Sequence, residues 1–173
     1  MYVSKYAGEG YCNVFYELYN LPVVIVRYSN IYGYYQTPAN PYCGVIGKFM
    51  LWALRNEPLL IHGDGEQTRD FTFIDDAIEA TIAAAFNPNS TGKTYNIGTG
   101  QETSINQLAK MIIEAVGSSS TINYVESRDI DNIRRRVLSI ERLRRDLQII
   151  PRNPLEKGIE LTLNWFRKNG NWE

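Results

Sequence analysis

The sequence predicts an α/β chain, and three features carry that expectation: an apolar helical period at each end, a continuous β-branched run near the start, and strand candidates alternating with helix candidates through the rest. From Tyr2 to Leu18 the positions Val3, Tyr6, Ala7, Tyr11, Val14, Phe15 and Leu18 recur at three- and four-residue intervals. That period puts them on one side of a helix, expected to be its buried side, and Asn20 and Pro22 stop it. Val23-Val24-Ile25-Val26 is expected as a strand covered on both faces, with a loop beginning by Asn30. Tyr32 to Gly44 holds Gly33, Pro38 and Pro41 without a sustained period, which suits an ordered surface or ligand loop.

A helix is expected over about Val45 to Arg55, ending before Pro58, then a short strand at Leu59-Leu60-Ile61 and a turn at Gly63-Asp64-Gly65. Arg69 to Phe73 alternates like a strand. Asp75 and Asp76 stand where carboxylates suit the start of a helix, ahead of Ile78, Ile82, Ala83 and Phe86, and Pro88 and Gly92 close it. Thr94 to Ile97 is a further strand, ended by Gly98 and Gly100. Ser104-Ile105-Asn106-Gln107 has capping-box spacing and predicts a helix from Ile105 to Val116. Ile122 to Val125 and Arg136 to Leu138 are shorter strand candidates. Ile140 to Asp146 reads as a short helix, and a last helix from about Leu155 to Lys168 carries Leu155, Ile159, Leu163 and Phe166 on one face.

Composition narrows the function. The chain has 173 residues, 44% of them hydrophobic, enough to bury a core, and its net charge of -1 gives no overall positive field for a nucleic-acid backbone. The local basic stretch of Arg134, Arg135, Arg136, Arg142, Arg144 and Arg145 reads as a solvated or phosphate-contacting edge. Cys12 and Cys43 lack C-x-x-C spacing and His62 is the single histidine, which argues against an ordinary zinc site and makes a reducing, cytoplasmic setting the default. No apolar run reaches membrane-spanning length, so no membrane partner is expected.

Four phrases carry a resemblance. Ser4-Lys5-Tyr6-Ala7-Gly8-Glu9, Arg27-Tyr28-Ser29-Asn30-Ile31-Tyr32-Gly33, Gly63-Asp64-Gly65-Glu66-Gln67-Thr68-Arg69-Asp70-Phe71 and Tyr95-Asn96-Ile97-Gly98 occur in this order. They resemble, respectively, the catalytic-helix segment, the R-x-x-N-[VI]-Y-G segment, the G-[DN]-G-x-Q-x-R-D-F phrase and the Y-N-[IVL]-G strand end of the extended short-chain dehydrogenase/reductase family, in its nucleotide-sugar epimerase/dehydratase branch. The resemblance implies the C-terminal part of a Rossmann-like fold, with the last parallel strands and a small substrate-binding α/β region, the N-terminal dinucleotide-binding half being absent. Residues 1–33 would then be catalytic helix and late Rossmann strand, and residues 34–173 mainly substrate-binding region with one returning core segment. No G-x-x-G-x-x-G phrase precedes Ser4, and Met1 stands one helical turn before Lys5, where the family has its proton-transfer tyrosine.

Site roles follow from the same resemblance. Lys5 would be catalytic and would hold the nicotinamide ribose, with Tyr28 and Ser29 beside it. Asn30, Val45, Gln67, Arg69, Tyr95 and Arg128 would bind substrate. Arg69 is the leading candidate because a guanidinium fork matches diphosphate oxygens. Plainer roles stand beside these: a turn asparagine at 30, an Arg69–Asp70 salt bridge, Tyr95 as strand core, Asp75 and Asp76 as helix caps, and His62 without metal partners. The implied cofactor is NAD in the complete enzyme, not held tightly by this chain alone. The implied substrate is a UDP-sugar or related nucleotide-sugar, and the implied assembly is a homo-oligomer or a partner carrying the missing half. The Gln36–Ile46 loop is more similar to the UDP-hexose 4-epimerase type, acting through a 4-keto intermediate, with this chain alone inactive. A 4,6-dehydratase or reductase fragment and a noncatalytic sugar-nucleotide-binding module stay open.

Overall fold

The computed structural model describes residues 2–38, 40, 43–127 and 133–170. In chain order its elements are α1 (Tyr2–Tyr19), β1 (Ile25–Tyr28), β2 (Asn30–Tyr32), α2 (Val45–Leu54), β3 (Leu59–His62), β4 (Thr68–Arg69), β5 (Phe71–Phe73), α3 (Ile74–Phe86), β6 (Thr94–Ile97), β7 (Thr103–Ser104), α4 (Ile105–Val116), β8 (Ile122–Val125), β9 (Arg135–Arg136), α5 (Glu141–Leu147) and α6 (Leu155–Asn169). Parallel pairing dominates. β1 lies beside β6, β2 beside β5, β3 beside β8 and β4 beside β9, while β7 joins β4 antiparallel.

Residues 25–32 form one extended segment that changes partner midway. β1 pairs with β6 as far as Tyr28↔Ile97, and β2 then takes up β5 at Asn30↔Phe71. The backbone crosses between them through Ser29 N–H to the Ile97 carbonyl and Asn30 N–H to the Asp70 carbonyl, both 2.9 Å. The loop expected to begin by Asn30 is therefore strand, because the Asp70–Phe73 backbone supplies the ladder that a local reading cannot see. The strand expected at Val23–Val26 sits two residues later, at Ile25–Tyr28, and its last two residues are exposed, so it is not covered on both faces.

Two cores hold the elements. The larger packs α2, α4 and α6 around β2, β3 and β5, with Phe49, Leu59, Phe73, Leu108, Ile112 and Phe166 almost wholly buried. The smaller packs α3 and α5 against β6, where Ala77, Ala80 and Ala84 keep α3 close to the buried Tyr95 and Ile97. Tyr95 is thus strand core. The capping box is present: the Ser104 hydroxyl accepts the Gln107 N–H at 3.1 Å, and the Gln107 amide oxygen accepts the Ser104 N–H at 3.0 Å. Gly117, with φ of 71°, ends α4 in the left-handed conformation that glycine adopts without a Cβ penalty.

Two further expectations are corrected. Asp76 does not cap its own helix; its buried carboxylate accepts the backbone N–H groups of Arg152 (3.0 Å) and Asn153 (3.2 Å), docking the segment before α6. The side of α1 expected to be buried is exposed, with Val3, Tyr6, Tyr11, Val14, Phe15 and Leu18 all facing solvent. Its contacts with the rest include a bond from Arg27 to Glu9 at 2.8 Å and the seating of Tyr16 over Gly92. No helix among the described residues is long and apolar enough to cross a membrane.

Candidate functional site

A cavity of about 670 Å³ opens between α2, the end of β3 and the β4–β9 margin. Its size suits a ligand of nucleotide dimensions. The end of β3 leads into the turn at Gly63-Asp64-Gly65, where φ is 77° at Gly63 and 75° at Gly65. These left-handed positions let the chain reverse within three residues and bring β4 back along the wall.

Arg69 stands on that wall, 6% exposed. Its Nη1 donates to the Thr68 carbonyl at 2.7 Å and to the Ile133 carbonyl at 2.9 Å, which fixes the guanidinium plane. Asp70, its neighbour between β4 and β5, serves the turn after β6. The Asp70 carboxylate is buried and accepts the Thr99 N–H (2.9 Å), the Thr99 hydroxyl (2.7 Å) and the Gly100 N–H (3.0 Å). The glycine turn after β6, whose successive N–H groups could hold an anion, is therefore filled by a protein carboxylate.

One wall is apolar and one is cationic. Val45, Phe49 and Trp52 of α2, with Leu60 and Ile61 of β3, give a surface suited to a planar base. Among the described residues, Arg69 and Arg134 bring positive charge from the β4–β9 side, Lys48 adds a cation from α2, and Asp64 brings a negative charge. Gln67 both lines the cavity and braces it, donating from Nε2 to the His62 carbonyl at 2.9 Å. The His62 ring meets the Glu126 carbonyl through Nδ1 at 2.9 Å. Arg134 bonds Asp64 at 2.7 Å; this bond, followed by the Glu66 N–H, holds the Asp64 carboxyl below the usual aspartate range. Burial pushes the Cys43 thiol up, against a smaller opposite pull from Lys48.

Of the residues the sequence points to, the fold brings Asn30, Val45, Gln67 and Arg69 to one cavity. Lys5 is exposed on α1 and does not line it. Tyr28 and Ser29 lie at the end of β1, bonded to Thr81 (2.9 Å) and Thr72 (2.6 Å). Tyr95 is fully buried in the smaller core, away from the cavity. Arg128 lies outside the described residues. Lys48 falls within the Val45–Phe49 segment that the resemblance sets beside the nucleotide, and Arg134 within the basic stretch read as a solvated or phosphate-contacting edge; Trp52 and Leu60 are missed as cavity residues, although Trp52 follows Val45 at helical spacing, a signal present in the sequence.

A model of the NAD dependent epimerase/dehydratase family matches residues 2–98, more than half of the chain. The chain belongs to that family. It is 40% identical over 158 residues to a UDP-N-acetyl-alpha-D-glucosaminuronate decarboxylase of Bacillus cytotoxicus, covering 88% of this chain and 49% of that protein. The structure of the Thermotoga maritima UDP-glucose 4-epimerase with UDP-glucose superposes with a TM-score of 0.91 at 35% identity, covering 96% of this chain and 52% of that one. A Bacillus cereus UDP-glucuronic acid 4-epimerase in complex with UDP-glucuronic acid and NAD gives 0.87 at 33% identity, covering 96% and 52%.

The chain spans about half the length of the relatives it matches. The expectation of a C-terminal part with its dinucleotide-binding half absent is corrected here. The family match runs from residue 2 to residue 98 and the superpositions take in nearly the whole chain, which supports a Rossmann-like alternating β–α domain of this family rather than a C-terminal fragment of one member. NAD is the cofactor in the solved structures of several family members. Among the described residues the Gly98–Gly100 turn does not fit a pyrophosphate, since Asp70 fills it.

Proposed function

We propose that this domain binds a nucleoside-diphosphate sugar in the cavity between α2 and the β4–β9 margin, within NAD-dependent nucleotide-sugar metabolism. The observation that carries this is Arg69: a guanidinium pinned by two backbone carbonyls on a cationic wall that faces an apolar one. The diphosphate lies against Arg69, the base against Phe49, Trp52 and Leu60, and Asn30 stands where its amide can meet a phosphate or sugar oxygen. The similarity to UDP-glucose- and UDP-glucuronic-acid-bound relatives supports a uridine nucleotide. Binding and orienting the nucleotide is the work of these side chains; the relatives include a decarboxylase and epimerases, so similarity alone does not select the reaction. Within that range we favour 4-epimerisation, because Pro38, Cys43 and Val45 of the epimerase-like loop region line the cavity.

Isothermal titration tests the reading. The purified chain should bind UDP with saturation, and Arg69→Ala should weaken that binding by tenfold or more, on the order of the 1.5–3 kcal/mol of a hydrogen bond to a charged group. Arg69→Lys, keeping charge without the fork, should recover only part of it. Equal UDP affinity in wild type and Arg69→Ala would remove the observation on which the reading stands.

A further inference from the structure

One buried group behind the cavity holds the wall on which Arg69 stands. Asp70 is 1% exposed and is not among the residues lining the cavity. Its carboxylate accepts backbone N–H groups from two separate places: Thr99 (2.9 Å) and Gly100 (3.0 Å) in the turn after β6, and Leu138 (3.4 Å), two residues beyond β9. The Thr99 hydroxyl donates as well, at 2.7 Å. Gly98 permits this approach, because a Cβ there would stand 2.6 Å from Asp70 Oδ2.

β9 has two residues, paired to β4 with Thr68 opposite Arg135 and Arg69 opposite Arg136. So short a strand makes few ladder bonds, and contacts at its ends decide where it lies. Two consecutive side chains fasten those ends. Arg69 Nη1 donates to the Ile133 carbonyl before β9 at 2.9 Å, and Asp70 accepts the Leu138 N–H after it. The Ile133 carbonyl fixes the Arg69 guanidinium, so whatever sets β9 also sets that fork. Both carboxylate oxygens meet backbone donors, Thr99 N–H at Oδ1 and Gly100 and Leu138 N–H at Oδ2. An amide here would turn its NH2 toward a backbone N–H whichever way round it lay, leaving buried donors facing donors.

We propose that Asp70 is a positioning residue for Arg69: by holding Leu138 and the Thr99–Gly100 turn, its carboxylate sets β9 and so aims the guanidinium at the nucleotide phosphates. This rests on the nucleotide-binding reading above. The sign of the effect separates positioning from charge. Removing a carboxylate beside an anion site would by charge alone tighten the anion, whereas lost positioning weakens it.

The test is a chemical-shift titration with UDP, which reaches millimolar affinities, on wild type, Asp70→Asn, Gly98→Ala, Arg69→Ala and the Asp70→Asn/Arg69→Ala double variant, with thermal melts to show that each is folded. Asp76→Asn is the control, since the Asp76 carboxylate is also buried and also accepts backbone N–H groups, from Arg152 and Asn153, without lining the cavity. Asp70→Asn should weaken UDP by about fivefold. Gly98→Ala, which displaces the carboxylate without removing it, should act in the same direction. In the Arg69→Ala background Asp70→Asn should add no further loss, and Asp76→Asn should lower the melting temperature while leaving UDP affinity unchanged. Unchanged or tighter UDP binding in folded Asp70→Asn would overturn the proposal. So would an equal loss in the Arg69→Ala background or in Asp76→Asn, either of which would make the effect a general loosening of the fold. Should Asp70→Asn not fold, Gly98→Ala carries the comparison, and unaltered UDP affinity there decides against the proposal. Should wild type take up no UDP, the nucleotide reading itself falls with this one. UDP binding that is lost in Arg69→Ala but indifferent to Asp70 overturns this inference alone.

Discussion

α1 and α4 have comparable sequence signatures and opposite fates. Both repeat apolar residues at helical spacing, yet α4 buries Ile105, Leu108, Ala109 and Ile112 against α2 and α6, while α1 leaves Val3, Tyr6, Tyr11 and Leu18 in solvent. A helical period states which residues share a face. Whether that face is covered depends on elements elsewhere, and within the described residues α2 and α6 supply the cover for α4 and nothing supplies it for α1.

The contrast makes the largest prediction. Leu108→Ala should cost about 2–5 kcal/mol in urea unfolding, the transfer loss plus a cavity in a packed core. Val3→Ala should stay within about 0.5 kcal/mol of wild type. Comparable losses at the two positions would mean that the α1 face is covered in solution.

Glycines sharpen the same difference. A Cβ at Gly158 of α6 would run into the Tyr32 hydroxyl and the Phe73 ring, so Gly158→Ala should destabilise by about 1–3 kcal/mol through overpacking. Gly10 of α1 has nothing within 4 Å, so Gly10→Ala should stabilise by about 0.5–1 kcal/mol through helix propensity alone. Opposite signs in the melting-temperature shifts are expected, and matching signs would break the comparison.

The caps give a smaller effect. Ser104→Ala should lose about 1 kcal/mol, because the Gln107 N–H then has no side-chain acceptor. That capping box was legible in the sequence because it is local: four consecutive residues contain both halves of the exchange. The buried face of α6 was legible for a similar reason. Asn30 was not, since its strand conformation is decided by pairing to residues 71–73, far along the chain. Tyr95 drew attention through its phrase, but the alternation of β6 turns it inward to the smaller core, where burial rather than ligand contact accounts for it. Arg134 was visible only as part of a basic run. The fold separates that run by pairing Arg134 with Asp64, Arg135 with Glu102 and Arg145 with Asp146, and it places Arg134 alone of these three on the cavity.

The smallest expected effect is at the attachment of α1. The bond from Arg27, more than burial, sets the Glu9 carboxyl and holds it below the usual glutamate range. A lowered folded value means that the pair contributes above the ordinary glutamate range and that this contribution fades as pH falls through the lowered value. Amide exchange in α1 should quicken over that acidic window in wild type, after correction for the intrinsic pH dependence. It should not do so in Glu9→Gln, and α4 should be indifferent. The exposure of the Arg27 side chain and the partial exposure of Glu9 keep the change slight.

The central claim is that the cavity beside Arg69 is a nucleotide-diphosphate site, and a crystal structure of the chain soaked with UDP tests it most directly. The account predicts the diphosphate against the Arg69 guanidinium, with the uracil against the Phe49, Trp52 and Leu60 wall. UDP density elsewhere on the domain, with the cavity beside Arg69 filled only by water, would contradict it.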